Sequence, residues 1–387
     1  MKVAIIGAGA IGGYVGVKIA LAGDDVTFIV RGANLESIRT NGIELITTDG
    51  QRHVSRNVRA TDRYDQAGAQ DIVILAMKAH QVEAVANDVA ATNDYAAAGP
   101  QDIVILAMKA HQVEAVTDDV PKLFGPDTVV VTMQNGIPYW YFHRHGGELE
   151  GSVVRSVDPQ GFITRKIAPE RVIGCVVYPA SVLIAPGIVA HIEGDRFPIG
   201  ELDGSTTARA VRVAECLTRA GFKAPILDDI RSEIWLKLWG NLTFNPISAL
   251  TRSTLVDICQ YPATRELAAA MMTEAQTIAH KLGITFRVGL DKRIAGAEKV
   301  GKHKTSMLQD VEAGRELEIE ALVGSVVELG RLTQTPTPRI NAVYALTKLL
   351  AQTVATRTEA PAMRALPADM PLATNGLRTN VTTLAPV

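Results

Sequence analysis

The chain has 387 residues, 47% of them hydrophobic and 21% charged, with a formal net charge of −2 at pH 7. That length gives room for two or three domains and a substantial core, and the composition is that of a soluble globular protein. The near-neutral balance argues against a general nucleic-acid binder, and three widely spaced cysteines (Cys175, Cys216 and Cys259) fit a reducing compartment without making a disulfide framework or a zinc site.

The chain opens MKVAIIGAGAIGG. With one lysine and a short apolar run it is too short to span a membrane, and its glycines do not suit a signal-peptide core. A cytoplasmic protein with no membrane partner is expected. Val3–Ile6 predicts a buried strand, GAGAIGG a tight turn and YVGVKIALAGDDV a helix. In that context Gly7-Ala8-Gly9-Ala10-Ile11-Gly12 reads as a dinucleotide fingerprint. Gly7 permits the turn, Gly9 lets backbone approach a pyrophosphate, and Gly12 lets the helix pack close to the strand. The helix N-terminus then stabilises the phosphate charge.

VTFIV at 26–30 is the next expected strand. An NAD site would place an acidic residue about twenty residues beyond the glycines, to hold the ribose hydroxyls. Here Arg31-Gly32 follows that strand. A guanidinium suits a 2′-phosphate and a carboxylate does not, so NADP(H) is the expected cofactor. GIELITTDGQRHVSRNVRA, with Asp49-Gly50 between alternating runs, predicts a hairpin or meander.

A repeat follows. QDIVILAMKAHQVEAV occurs at 70–85 and again at 101–116, and pairing 60–90 with 91–121 leaves 23 of 31 positions identical. Each copy predicts a buried strand, then Lys-Ala-His-Gln at the strand's end, then a helical segment. A strand's carboxyl end faces the ligand crevice of such a sheet. Lys78 or Lys109 is therefore a candidate cofactor contact, against the plainer reading of a solvated loop lysine. His80 and His111 read as surface residues, and one histidine per copy gives no metal geometry.

TVVVTMQNG at 128–136 predicts another buried strand ending in a turn. Continuous apolar strands alternating with helices predict a parallel sheet covered on both faces. From 151 to about 204, β-rich runs suggest that the sheet continues in a more antiparallel style. Helical periodicity takes over near 228, with Asp228 and Asp229 suited to start the first helix. The division expected is 1–227 for the α/β part and 228–355 for a helical part. From 356 to 387, with four prolines and no periodicity, a disordered tail is expected.

On the first of those helices Lys237, Asn241 and Asn245 form one stripe, Asn241 about 40° and Asn245 about 80° round from the lysine. Two asparagines, poor helix formers, on so apolar a helix suit amides held for a ligand as well as a polar face. KTSMLQDVEAGRELEIE at 304–320 can be capped by Thr305 and Ser306, with Glu318 about three turns on.

The combination of GAGAIGG, MKAHQV, QNG, KLWGNLTFNPISAL and TSMLQDVEAGRELEIE, in this order, resembles the 2-dehydropantoate 2-reductase (ketopantoate reductase) family over about 1–355. The resemblance implies an α/β Rossmann-type N-terminal domain plus an all-α C-terminal domain, with the active site between them and one strand-helix unit duplicated. It implies NADPH-dependent reduction of 2-dehydropantoate in pantothenate biosynthesis, acting on a small 2-oxo acid, with a homodimer left open. Carried over by position, Lys237 is the catalytic acid. Asn241 and Asn245 contact substrate, and Ser306 binds its carboxylate. Asn135 sits at cofactor and substrate, Glu318 near the cofactor ribose, and Ala180 of GCVVYPAS beside the cofactor. Where the family often has a further substrate-contacting asparagine, this chain has Leu255. Trp235 and Trp239 are expected to wall the lysine and lower its pKa. The alternatives are a related dehydrogenase acting on a 3-hydroxy acid or an opine, and an NADP-binding protein disabled by the duplication.

Two adjacent copies would move the 128–133 strand outward by about 4.8 Å and take Asn135 from the nicotinamide. The expectation is therefore that one copy, the second, enters the sheet and the other packs outside or is partly disordered.

Overall fold

A computed structural model of the chain describes residues 1–76 and 99–359. Its centre is an eight-stranded sheet in the order β12-β9-β8-β7-β6-β1-β2-β5. The strands are β1 (Lys2–Ile6), β2 (Asp25–Ile29), β5 (Val58–Thr61), β6 (Ile72–Leu75), β7 (Gln101–Leu106), β8 (Phe124–Thr132), β9 (Val172–Cys175) and β12 (Ile199–Gly200). All pairings are parallel except that of β12 with β9.

Both copies of the repeat are in this sheet, side by side. Ile72 pairs with Ile103, Val73 with Val104, Ile74 with Ile105 and Leu75 with Leu106. The expectation that one copy would be excluded is thus overturned, and burial is the reason. Ile72, Val73, Ile74 and Leu75 are each no more than 1% exposed. Setting four such side chains in water would cost on the order of 6 to 12 kcal/mol. A strand apolar on both faces is stable only with neighbours on both edges and layers on both faces.

The two faces lead to two cores. Ile5, Ile74, Ile105 and Val131 pack with Tyr14 and Val17 of helix α1 (Ala10–Leu21). Ile6, Leu75, Leu106 and Val130 join the core that continues through Trp140 into the helical part of the chain. The Asp49-Gly50 hairpin forms as expected, as β3 (Ile43–Ile46) and β4 (Arg52–Ser55). It belongs to a second sheet, of order β10-β11-β3-β4, with β10 (Ala180–Ala185) and β11 (Ile188–Glu193). So the 180–193 hairpin leaves the main sheet, and only β12 extends it antiparallel. After the second Lys-Ala-His-Gln the chain makes three short 3-10 turns, ending at Leu123, in place of one helix.

From Ile230 onward the described chain is helical. A 22-residue helix, α5 (Ile230–Thr251), runs through the middle, capped by Asp229, whose side chain accepts from the Ser232 N–H at 2.9 Å. Helix α8 (Leu290–Lys299) and helix α9 (Ser306–Glu312) pack near it, and Thr305 caps α9. The helix expected over 304–320 breaks after Glu312. Gly314, at φ +62, closes it with Arg315 N–H bonded to Asp310 O at 2.8 Å, leaving Glu318 in the following loop. The last helix ends at Glu359, four residues into the expected tail, and 360–387 lie outside the described residues. Among the described residues no helix is long and apolar enough to cross a membrane.

Candidate active site

Two clusters face the carboxyl ends of the parallel strands. The first is the glycine turn between β1 and α1. Gly7 adopts φ +94 and donates to Ile29 O at 3.0 Å. A Cβ on Gly12 would collide with Gly7 O and with the Ala76 Cβ at the end of β6. A Cβ on Gly13 would lie 2.6 Å from Val189 Cγ2. Gly9 is the N-cap of α1, whose first turn has no side-chain cap and no acidic residue. Its N–H groups, at Ala10, Ile11 and Gly12, have no acceptor within the helix. A bare-backbone cradle at a helix N-terminus fits a dinucleotide pyrophosphate. Ala8 lies buried beneath it, and Arg31 follows β2 as an exposed residue at the start of the next helix.

The second cluster surrounds Lys237 on α5. Lys237 Nζ donates to Asn135 Oδ1 at 2.6 Å and also to Val177 O. Its ammonium lies 5.9 Å from the centroid of the Tyr178 ring. Burial pushes its pKa down from 10.5 to about 8, while the Glu318 carboxylate opposes the shift. Asn135 is held by the turn after β8. Gly136 (φ +87) has no room for a Cβ against Ala321 O, and the Ile137 N–H bonds that same oxygen at 3.0 Å. On α5, Asn245 Nδ2 reaches Ser306 Oγ at 3.4 Å, and Asn241 is half-buried on the same stripe. Lys237, Asn135, Glu318, Asn241, Asn245 and Ser306 therefore occupy one neighbourhood. Ala180 begins β10, three residues after the carbonyl that holds Lys237.

Two expectations fail here, and one candidate cofactor contact is engaged with protein groups. Trp235 and Trp239 do not wall the lysine. They sit on the opposite face of α5, where Trp235 Nε1 donates to Tyr141 Oη and Trp239 Nε1 to Met272 O, each at 2.7 Å. Lys109 is bound to protein: Nζ meets Asp310 Oδ2 at 2.7 Å and Glu316 O at 2.8 Å. It ties β7 to the helical part. His111 is no surface residue either; it is half-buried, 3.2 Å from Glu316 Oε2, and burial lowers its pKa. Lys78 and His80 lie outside the described residues.

Asn135 has stayed with Lys237. In the sheet order two strands, β6 and β7, stand between β1, which leads into the glycine cradle, and β8, whose following turn carries Asn135. Sequence reading missed Tyr178, the Val177 carbonyl and Asp310, whose roles come from contacts between distant segments. Among the described residues no cluster of metal-ligating side chains forms. A recess of about 470 Å³ lined by Met1, Lys2, Gly23, Asp25, Ala69, Gln70 and Asp71 opens at the amino ends of the strands, away from both clusters.

Residues 3–97 and 84–204 match the family described as "Ketopantoate reductase PanE/ApbA", and residues 229–351 match its C-terminal partner. The two N-terminal matches overlap at 84–97, within the repeated stretch. A 2-dehydropantoate 2-reductase of Mesorhizobium japonicum is 50% identical over 352 residues, 91% of this chain and 98% of that one. A 2-dehydropantoate 2-reductase of Archaeoglobus fulgidus is 29% identical, covering 85% and 90%. The crystal structure of a putative ketopantoate reductase from Ralstonia solanacearum superposes with a TM-score of 0.75 at 37% identity, covering 91% and 98%.

Proposed function

We propose, from the premise that the chain belongs to the ketopantoate reductase family of oxidoreductases, that it reduces 2-dehydropantoate to pantoate with NADPH. The bound dinucleotide supplies a hydride to the C2 ketone of the 2-oxo acid. The observation that carries the reading is Lys237: half-buried, aimed by Asn135 and Val177 O, with its pKa pushed down to about 8.

An ammonium with that pKa is charged at neutral pH yet gives up its proton readily. It stabilises the negative charge that develops on the ketone oxygen, then protonates it. Asn135 fixes where Nζ points. The Glu318 carboxylate keeps the amine in its acid form. Asn241 and Asn245 contact the substrate, and the Ser306 hydroxyl meets its carboxylate. The cradle at Gly7–Gly12 holds the pyrophosphate and Arg31 the 2′-phosphate. Ala180 and Glu318 flank the cofactor.

Cofactor choice is tested by comparing kcat/KM for NADPH and NADH in the protein and in Arg31→Ala. The variant should lose most of its preference for NADPH, and a preference left intact would remove Arg31 from this role. A second reading, a reductase of another 2-oxo acid, is favoured by one observation, Leu255 at a position where the family often has a substrate-contacting asparagine. A substrate panel separates the two, since that enzyme would turn over another 2-oxo acid faster than 2-dehydropantoate.

A further inference from the structure

Helix α8 carries a cation, Arg293, whose charge no group among the described residues balances. Arg293 reaches from α8 across α5 at Gly240. A Cβ built on Gly240 would overlap Arg293 Nη2 and lie 3.0 Å from Cζ. The guanidinium thus rests on bare helix backbone, one turn after Lys237 and beside Asn241.

No described residue accepts a side-chain hydrogen bond from Arg293 or forms an ion pair with it. The carboxylates nearby are committed elsewhere. Glu233 is buried and takes both Arg287 and the Tyr178 hydroxyl, the latter at 2.8 Å. Glu298 pairs with Arg265 at 3.3 Å. The Tyr178 ring has Lys237 Nζ at 5.9 Å and the Arg196 guanidinium at 5.6 Å from its centroid. Burial lowers the Arg293 pKa, and its electrostatic partners are Tyr178 and Cys259. Both are neutral at pH 7, because burial raises the Tyr178 and Cys259 pKa values. A guanidinium stays charged in a protein, and holding it half-buried without a counter-ion is unfavourable. An anion that arrives with the ligand removes that cost.

We propose that Arg293 is a substrate-binding residue whose guanidinium, seated on Gly240, pairs with the carboxylate of the 2-oxo acid whose ketone meets Lys237. The inference rests on the reading of the site as a 2-oxo acid reductase. Ser306 offers that carboxylate a neutral donor, and Arg293 supplies the charge and a two-pronged fork. It also provides an anchor on a chain that has Leu255 in place of an asparagine.

The test compares the protein with Arg293→Met, Arg293→Lys and Gly240→Ala. KM and kcat are measured for 2-dehydropantoate and for its carboxamide, and NADPH affinity by fluorescence. Arg293→Met should raise KM for the acid on the order of 100-fold with a smaller change in kcat. Its KM for the carboxamide and its NADPH affinity should hold. Arg293→Lys should recover part of the loss. Gly240→Ala, which keeps the charge but displaces it, should fall between. An unchanged KM, an equal rise for acid and carboxamide, or a parallel loss of NADPH affinity would overturn the assignment. Calorimetric titration of the NADPH complex with oxamate, an unreactive 2-oxo acid isostere, separates this inference from the reaction assigned above. Oxamate binding that is lost in Arg293→Met supports the carboxylate site even if 2-dehydropantoate is not turned over, and oxamate binding that persists in the variant, or is absent from the parent protein, refutes it.

Discussion

The two copies of one sixteen-residue word meet different neighbours. In the first, β6 lies against β1, and Ala76 at its end packs under the glycine cradle. In the second, β7 lies against β8, and Lys109 beyond its end grips Asp310 and the Glu316 carbonyl. One copy faces the nucleotide cradle and the other holds the helical part. Identical residues have thus taken two positions, each defined by what sits on the far edge. What the pair shares is equally informative. Twin side chains enter the same two cores, because period-two alternation sends Ile72 and Ile103 one way and Val73 and Val104 the other. The sequence of a strand sets its faces, whereas its place in the order depends on the rest of the chain.

Twin substitutions probe that likeness most strongly. Leu75→Ala and Leu106→Ala should each cost about 2 to 5 kcal/mol by denaturant unfolding, and by similar amounts. A large cost at one site and almost none at the other would mean that only one copy is built into the sheet. Excising 91–121 probes the difference. It removes a strand from between β1 and β8 and should bring Asn135, with the lysine it holds, one strand spacing closer to the glycine turn. Positioning errors of an ångström can cost two orders of magnitude in rate, so kcat should rise on the order of 100-fold. A kcat that falls or stays level would show that the widened crevice is no handicap.

The lysines give a smaller contrast. Lys109→Met breaks a partly buried pair and should lower stability by about 1 to 2 kcal/mol. Lys78, the other candidate cofactor contact, should when replaced by Met raise KM for NADPH with little change in melting temperature. Reversal of these two phenotypes would exchange the assignments. Smaller again is the response to pH. If reduction uses the Lys237 ammonium as proposed, kcat/KM should be level below about pH 8 and fall as pH rises through it. Oxidation of the hydroxy acid requires the free amine and should lose rate as pH falls through the same value. A reduction profile flat up to the ordinary lysine range would contradict the lowered pKa.

Much of this was legible in the sequence where one residue type answers one local demand. Gly7 and Gly12 are required by a positive φ and a close contact, and Asp229 and Thr305 cap helices as their positions suggested. The stripe of Lys237, Asn241 and Asn245 follows from helix geometry alone. The same geometry, applied to Trp235 and Trp239, puts them on the far face, so their failure as walls of the lysine was foreseeable. Other features were not legible. Gly314 breaks a stretch whose periodicity carries on past it. The departure of the 180–193 hairpin into a second sheet depends on pairing with Glu44–Ile46, far away in the chain. Arg293 and Tyr178 carry no local pattern at all, and only the crossing of α8 and α5 brings Arg293 to Gly240 and the chain after β9 brings Tyr178 beside Lys237.

The central claim is that Lys237 protonates the ketone of 2-dehydropantoate as NADPH is oxidised. The direct measurement is the loss of NADPH absorbance on adding 2-dehydropantoate, for the protein and for Lys237→Ala, with NADPH binding measured alongside. The account predicts substrate-dependent oxidation that drops by about two to four orders of magnitude in the variant while NADPH binding is kept. Near-normal turnover in Lys237→Ala, or NADPH binding with no substrate-dependent oxidation in the parent protein, would contradict it.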